Sequence, residues 1–205
     1  TDLRIQDNTA LLAASRKGPL LALYVITPQQ WQQHDDAACK IDFWQRNLQQ
    51  LQQQLTALNI PLLVRQVDLW SDIPALMQQL CHQYGIDAVH ANQEYGINEQ
   101  ARDEAVALGL KDQGKALQLY NDQLLFPVGS IRNQSEQYFK VFSQFKKVAY
   151  QQLLQHLPAL QPAPDGQPAM AIATDSLPVF SPLAGSENKF AALWPAGEQV
   201  ALQRL

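Results

Sequence analysis

The residues of this chain best suited to ligand chemistry are the adjacent Asn98 and Glu99. They follow a short apolar run, residues 88–91, and a polar turn that contains Gly96. An apolar run, a polar turn and a helix start are typical of a strand-to-helix junction in an α/β protein. In an open parallel sheet these junctions lie at the carboxyl edge of the strands, where small molecules bind. We therefore expect an amide and a carboxylate at the mouth of a cleft that binds a small heterocycle.

The same pair also has a purely structural interpretation. Asn is a preferred helix cap, and a Glu in the first turn complements the helix dipole. Judged on spacing alone, Asn98 and Glu99 fit this capping role better than a ligand role.

Other catalytic and cofactor motifs are absent from the sequence. There is no GxGxxG fingerprint, and the four histidines and two cysteines lack the spacing of a metal site. Residues 109–116 come within one position of a phosphate loop, but Ala116 lacks the hydroxyl that holds magnesium, and the segment leads from helix to strand. Gly109 is therefore predicted to end a helix. We predict no metal site and no complete catalytic constellation.

Composition limits the function classes further. The chain has 205 residues, is 46% hydrophobic and carries a net charge of -4, which predicts one domain with an appended tail and argues against nucleic-acid binding by this chain alone. No apolar run is long enough to cross a membrane, and the N-terminus does not resemble a signal peptide. Cys39 and Cys81 fit free thiols in a reducing compartment, so a cytoplasmic location is expected.

Strand and helix patterns alternate along the chain. Asp7 or Asn8 is expected to cap a first helix, Pro28 to His34 to form a loop, and Leu48, Leu51 and Leu55 to share one stripe of a helix. The predicted strands are residues 20–26, 61–68, 88–91 and 116–120; the later predicted helices are 37–58, 73–84, 98–108 and 141–157. This order predicts an α/β fold with a doubly wound, mostly parallel sheet flanked by helices.

The C-terminal quarter has a different composition. Residues 1–157 are assigned to the α/β domain. Residues 158–193 are rich in Pro, Ala, Gly and Ser and are predicted to be an extended linker rather than a packed layer. Residues 194–205 could begin a helix that belongs to another domain, with nothing in this chain to pack against.

An ordered set of segments resembles the N-terminal half of bacterial cyclobutane pyrimidine dimer photolyases. The segments are DLRIQDN at 2–8, YVITPQQW at 24–31, PLLVRQVD at 61–68, YGINEQARD at 95–103 and YFKVFSQF at 138–145. Together they cover the chain to about residue 150. The resemblance implies a Rossmann-like domain that holds an antenna chromophore and is joined by a linker to a helical domain that binds FAD and damaged DNA.

The resemblance also assigns site residues. In folate-type members the antenna is methenyltetrahydrofolate, and the contacts fall here on Asn98, Glu99 and His34. The 2-amino-4-oxo edge of a pterin offers parallel N–H donors, and one ionised carboxylate accepts both. No catalytic residue is expected in this chain, which by itself should bind no flavin and repair nothing. The parent protein is expected to be a monomer.

Departures from the family pattern leave other interpretations open. The family's central first strand, which precedes the DLR segment, and its flavin domain are both missing from this sequence, while Gln100 replaces an Arg beside the site. A cryptochrome-type photoreceptor shares the fold and is one alternative. A freestanding nucleotide-binding or electron-transfer flavoprotein-like domain is another alternative. A phosphate-binding glycine loop would support it, but the sequence has none.

Overall fold

The computed structural model describes residues 2–183 and 188–204. The strands are β1 (Ala22–Ile26), β2 (Leu62–Gln66), β3 (Ala88–Asn92) and β4 (Ala116–Tyr120). The α-helices are α1 (Thr9–Ser15), α2 (Pro28–Gln33), α3 (Ala38–Ala57), α4 (Ile73–Gln83), α5 (Ile97–Lys111), α6 (Phe142–Gln155), α7 (Lys189–Leu193) and α8 (Glu198–Leu202). A short 3₁₀ helix, Trp70–Asp72, precedes α4.

The strands form two parallel pairs. β1 pairs with β2 and β3 with β4, and at the carboxyl ends Ile26 lies opposite Gln66 and Asn92 opposite Tyr120. Within the described ranges the two pairs are not hydrogen-bonded to each other. The predicted α/β class with parallel strands and covering helices is confirmed. The absence of a central first strand stays a prediction.

Each pair has its own hydrophobic cluster. In the first, Leu48, Leu51 and Leu55 of α3 pack on Ile60 and Leu62, which confirms the predicted stripe. The second lies between α4, α5 and the strands β3 and β4, and its buried members are Ile73, Cys81, Val106 and Leu110. Val25 of β1 packs against this second cluster, so the two halves share apolar contact.

Two local predictions are wrong. Residues 28–33 form α2 rather than a loop, because Pro28 suits the first helical turn and Trp31 is buried, with its ring 5.6 Å from Trp44. Gly109 does not end α5, which continues to Lys111. The Gly109 carbonyl accepts a 2.7 Å hydrogen bond from the Gln78 side chain, and a Cβ there would lie only 3.2 Å from that amide. The chain reverses instead at Gly114, where φ is +70°.

The predicted start of α1 is confirmed at Asn8. Its side chain accepts a hydrogen bond from the N–H of Leu11, as an N-cap residue should.

The Pro- and Ala-rich segment at residues 158–183, here called the extended segment, has no helix or strand and packs on the α/β domain. Leu177 and Phe180 cover the first hydrophobic cluster. Asp175 donates its N–H to the Leu62 carbonyl at 2.9 Å, and its carboxylate accepts the N–H of Val64 at 2.7 Å. The segment therefore adds a packed layer beside β2, contrary to the sequence prediction.

The last described helix, α8, also packs on this chain. The Glu198 carboxylate is buried and accepts the backbone N–H groups of Ile5 and Gln6 at 3.1 and 2.8 Å. The expectation that residues 194–205 have nothing to pack against is wrong. The proposed limits of the linker and of the next domain stay predictions, and residues 184–187 and 205 of those segments lie outside the described ranges.

Candidate functional site

Three strand-to-helix junctions bring the predicted site residues to one edge of the strands. His34 ends α2, which follows β1. Trp70 opens the 3₁₀ helix that follows β2. Asn98 and Glu99 lie in the first turn of α5, which follows β3. These are the carboxyl ends of parallel strands, the edge at which α/β proteins bind ligands.

His34 is exposed and is held by two neighbours. Its Nε2 lies 2.8 Å from Nε2 of Gln30, one helical turn earlier. Its ring lies 5.7 Å from the Trp70 ring at an interplanar angle of 51°. The ring of His34 is therefore oriented by the junctions that follow β1 and β2.

Glu99 is half-buried and folds back over the start of its own helix. Gly96 is the N-cap residue and has no side chain to cap with, and a Cβ placed on it would lie 2.0 Å from Oε2 of Glu99. A carboxylate in this place complements the positive end of the helix dipole, as the capping interpretation expects. Asn98 is exposed at the second helical position and does not serve as the cap.

Arg102 connects the α5 junction to Trp70. Its guanidinium lies 5.1 Å from the centre of the Trp70 ring and donates to Glu94 at 3.0 Å and to Asp103 at 2.8 Å. Burial disfavours the charged form, but the hydrogen bonds and charges of Asp103 and Glu94 outweigh it and raise the pKa of Arg102. This guanidinium is a fixed, charged bridge between the two halves of the fold.

The carboxylates around Arg102 outnumber it. Burial raises the pKa of Asp103 against the opposing hydrogen bond and charge of Arg102, and the charges of Glu94 and Glu99 raise it further. Arg102 thus pairs with Glu94 and Asp103, and Glu99 adds a third negative charge that acts on Asp103. A ligand edge with N–H donors would relieve this concentration of negative charge.

The opening segment of the chain forms a second polar cluster at the end of β3. Asn92 is 4% exposed, accepts the N–H of Ala10 at 2.9 Å and donates to the Asn8 side chain at 2.9 Å. Asp122 pairs with Arg4 at 2.5 Å and accepts the N–H of Thr9 at 2.9 Å. These contacts fasten α1 to the same edge of the strands, which gives the DLRIQDN segment a structural role.

Sequence reasoning missed Trp70 and Arg102. The available signal was an aromatic residue soon after a strand and an Arg one turn after Glu99. Arg102 has a local partner in Asp103, but nothing local in the sequence indicates its contact with Trp70.

The predicted site residues lie at exposed or half-buried positions along this edge. Two hollows elsewhere on the surface, of about 550 and 630 Å³, are lined by Gln52, Thr56 and Asp175 and by Phe126, Ser130 and His156, and neither includes the predicted site residues. Across residues 2–183 and 188–204, no group of His, Cys, Asp and Glu could hold a metal ion. In the same ranges no helix is long and apolar enough to span a bilayer.

Chemically, the edge offers a carboxylate acceptor, an imidazole and a flat Trp–Arg stack. These groups suit the binding of a planar heterocycle with N–H donors along one side.

Comparison with known proteins gives a consistent result. The profile of the family described as DNA photolyase matches residues 1–165. A deoxyribodipyrimidine photo-lyase of Vibrio cholerae is 40% identical over 147 residues, which is 71% of this chain and 31% of that protein. The Salmonella typhimurium protein of the same name is 33% identical over 100% of this chain and 43% of its own length. The chain thus spans less than half of either relative.

A solved structure agrees in fold. The class III photolyase from Agrobacterium tumefaciens superposes with a TM-score of 0.73 over 99% of this chain and 42% of its own, at 22% identity.

Proposed function

Because the chain belongs to the DNA photolyase family, we propose that it is the light-harvesting α/β part of a deoxyribodipyrimidine photo-lyase, an enzyme of light-driven DNA repair. The names of the relatives that match along its length support this. The chain's own task in such an enzyme is to bind and orient an antenna chromophore. Cleavage of the pyrimidine dimer is assigned to a flavin in a helical domain.

We propose methenyltetrahydrofolate as the antenna, with Glu99, Asn98 and His34 as its protein contacts. The observation that carries this proposal is the half-buried Glu99 carboxylate at the carboxyl edge, whose negative charge acts on the buried Asp103. An aminopyrimidinone edge supplies the paired N–H donors that such a carboxylate accepts. When bound, the folate would absorb near-ultraviolet light and pass the excitation to the flavin.

Each protein group has a separate part in this binding. Glu99 accepts hydrogen bonds from the N–H donors along one edge of the ring, and the amide of Asn98 can both donate and accept. His34 contacts the ring from the junction that follows β1. The Trp70–Arg102 stack holds the two junctions at a fixed spacing.

A helical flavin domain is the proposed partner, and α6 is the face proposed to meet it. Ala149 is the buried residue of α6, whereas Phe142 and Leu154 are 73% and 80% exposed. The Phe142 ring also lies 6.1 Å from the ring of Phe145, and clustered exposed apolar side chains of this kind mark interaction sites. Damaged DNA would be bound through that partner, since this chain has a net charge of -4.

A monomeric cytoplasmic enzyme is part of the same proposal. Cys39 and Cys81 are both free thiols, which suits a reducing compartment.

The test is retention of folate by variants of the purified protein. Glu99→Gln keeps the side-chain shape but removes the charge, and should weaken methenyltetrahydrofolate binding by roughly ten- to a hundredfold, the effect of about 1.5–3 kcal/mol for hydrogen bonds to a charged group. The matched control is Glu104→Gln, an exposed Glu on the same helix, which should bind like the wild type. His34→Ala should also weaken binding. Folate bound by Glu99→Gln as tightly as by the wild type would reject the proposed role of this carboxylate.

A further inference from the structure

The side chain of Gln30 lies between two junctions, and its contacts fix which way its amide points. The backbone N–H of Trp70 donates to Oε1 of Gln30 at 3.2 Å. A backbone N–H is only a donor, so the atom that faces it must be the carbonyl oxygen of the amide. The N–H of Gln30 itself donates to the Asp68 carbonyl at 3.1 Å, which anchors this residue to the end of β2.

With the oxygen committed to Trp70, the NH₂ group of Gln30 faces Nε2 of His34 at 2.8 Å. An amide NH₂ only donates, so Nε2 of His34 must accept. A neutral imidazole with an accepting Nε2 carries its proton on Nδ1. The backbone N–H of Trp70 therefore determines the tautomer of His34 through Gln30.

The Trp70 ring also holds the imidazole of His34 in place. The centres of the two rings are 5.7 Å apart, and the guanidinium of Arg102 lies 5.1 Å from the centre of the Trp70 ring. Arg102 is held in turn by Glu94 and Asp103. For the described residues, the structure gives Nδ1 of His34 no hydrogen-bond partner.

We propose that Gln30 is a positioning residue that holds His34 as the Nδ1–H tautomer, so that His34 donates a hydrogen bond to an acceptor atom on the bound chromophore. The hydrogen bond from His34 to the chromophore rests on the proposed function, whereas the tautomer of His34 does not. The ligand class it selects is a planar heterocycle with N–H donors on the side facing Glu99 and a carbonyl oxygen or a ring nitrogen lone pair facing His34.

The tautomer can be read directly by ¹⁵N NMR of histidine-labelled protein at about pH 8, where an ordinary imidazole is neutral. The His34 signals are identified by their loss in His34→Gln. The wild type should show a protonated Nδ1 and a bare Nε2. In Gln30→Glu the carboxylate still accepts from Trp70 but has no N–H to donate, so His34 should change to the Nε2–H form. Gln33→Glu adds the same charge at an exposed neighbouring position and should leave the tautomer unchanged.

Titration of the wild type, Gln30→Glu and Gln33→Glu with methenyltetrahydrofolate tests the ligand side. Gln30→Glu should bind about tenfold more weakly than the wild type and Gln33→Glu, as expected for one lost hydrogen bond. An Nε2–H tautomer in the wild type, or no change in Gln30→Glu, would overturn the role of Gln30. A changed tautomer with unchanged affinity would overturn the donation to the ligand. If the wild type binds no folate, the proposed cofactor fails, while the tautomer result still decides the role of Gln30.

Discussion

The two strand pairs share one design but are covered very differently. In the first pair, Leu62 and Leu63 of β2 are 2% and 1% exposed, and the outer edge of β2 is bonded by Asp175 of the extended segment. In the second pair, every residue of β4 is exposed or half-buried, with Leu119 40% exposed. Among the residues that the structure describes, no strand pairs with the outer edge of β4.

The difference assigns different tasks to the two halves. The extended segment protects the edge of β2, where unpaired N–H and C=O groups would otherwise face solvent or another chain. The second pair has less cover, yet it supplies Glu99 and Arg102 to the candidate site. The site joins a well-covered half, which carries His34 and Trp70, to a less covered one.

The largest effect is expected in the core of the covered half. Leu55 is 1% exposed, so Leu55→Ala should lower the free energy of unfolding by about 2–5 kcal/mol through lost apolar contact and a residual cavity. Urea denaturation measures it. Leu108→Ala, at a position 67% exposed, serves as the control and should change stability little. Equal losses from the two variants would contradict the assigned core.

A smaller effect is expected at the protected edge. Asp175→Ala leaves the N–H of Val64 without its acceptor and removes the ion pair with Arg65, and should lower the free energy of unfolding by about 1–3 kcal/mol. Hydrogen exchange at the Val64 amide should accelerate. Asp165→Ala changes an exposed Asp of the same segment, and should change neither the free energy of unfolding nor the hydrogen exchange of Val64. Unchanged exchange at Val64 in Asp175→Ala would show that the segment does not protect this edge.

The smallest effect is a pH dependence in the less covered half. The pKa of Asp103 is raised by burial and by the nearby acids, so the folded state binds more protons at this group than the unfolded state. Its stabilising contribution is complete below about pH 3.9, the ordinary pKa of an Asp, and is lost as pH rises through the raised folded value. The free energy of unfolding of the wild type, minus that of Asp103→Asn, should therefore fall with rising pH.

Denaturation midpoints from about pH 3 to pH 7 test this, with Glu104→Gln as the exposed control. In Glu99→Gln the pKa of Asp103 should fall, because a neighbouring negative charge is removed. A difference that rises with pH would mean that the ion pair with Arg102 outweighs the burial of Asp103.

The sequence predicted features that depend on local periodicity. The Leu48, Leu51 and Leu55 stripe defined α3, and the apolar run before Gly96 located the junction that carries Glu99. Pro28 indicates a loop when the sequence is taken alone, since the burial of Trp31 that stabilises α2 depends on Trp44 and Phe180, which lie outside the segment.

Non-local contacts explain what the sequence did not reveal. Trp70 and Arg102 meet only because two junctions lie side by side. Asp175 bonds to Val64, which lies 111 residues away, so the composition of its segment indicated an extended chain but not what that chain covers. Polar contacts between residues so far apart in the sequence leave no periodic pattern in it.

The buried carboxylate of Glu198 has a consequence for biosynthesis. It accepts the N–H groups of Ile5 and Gln6, which precede it by 193 and 192 positions. On the ribosome, Ile5 and Gln6 emerge long before Glu198 has been translated, so water must occupy its place in the meantime. Closure of this contact is therefore a late event in the folding of this domain, because it has to wait until α8 has been made.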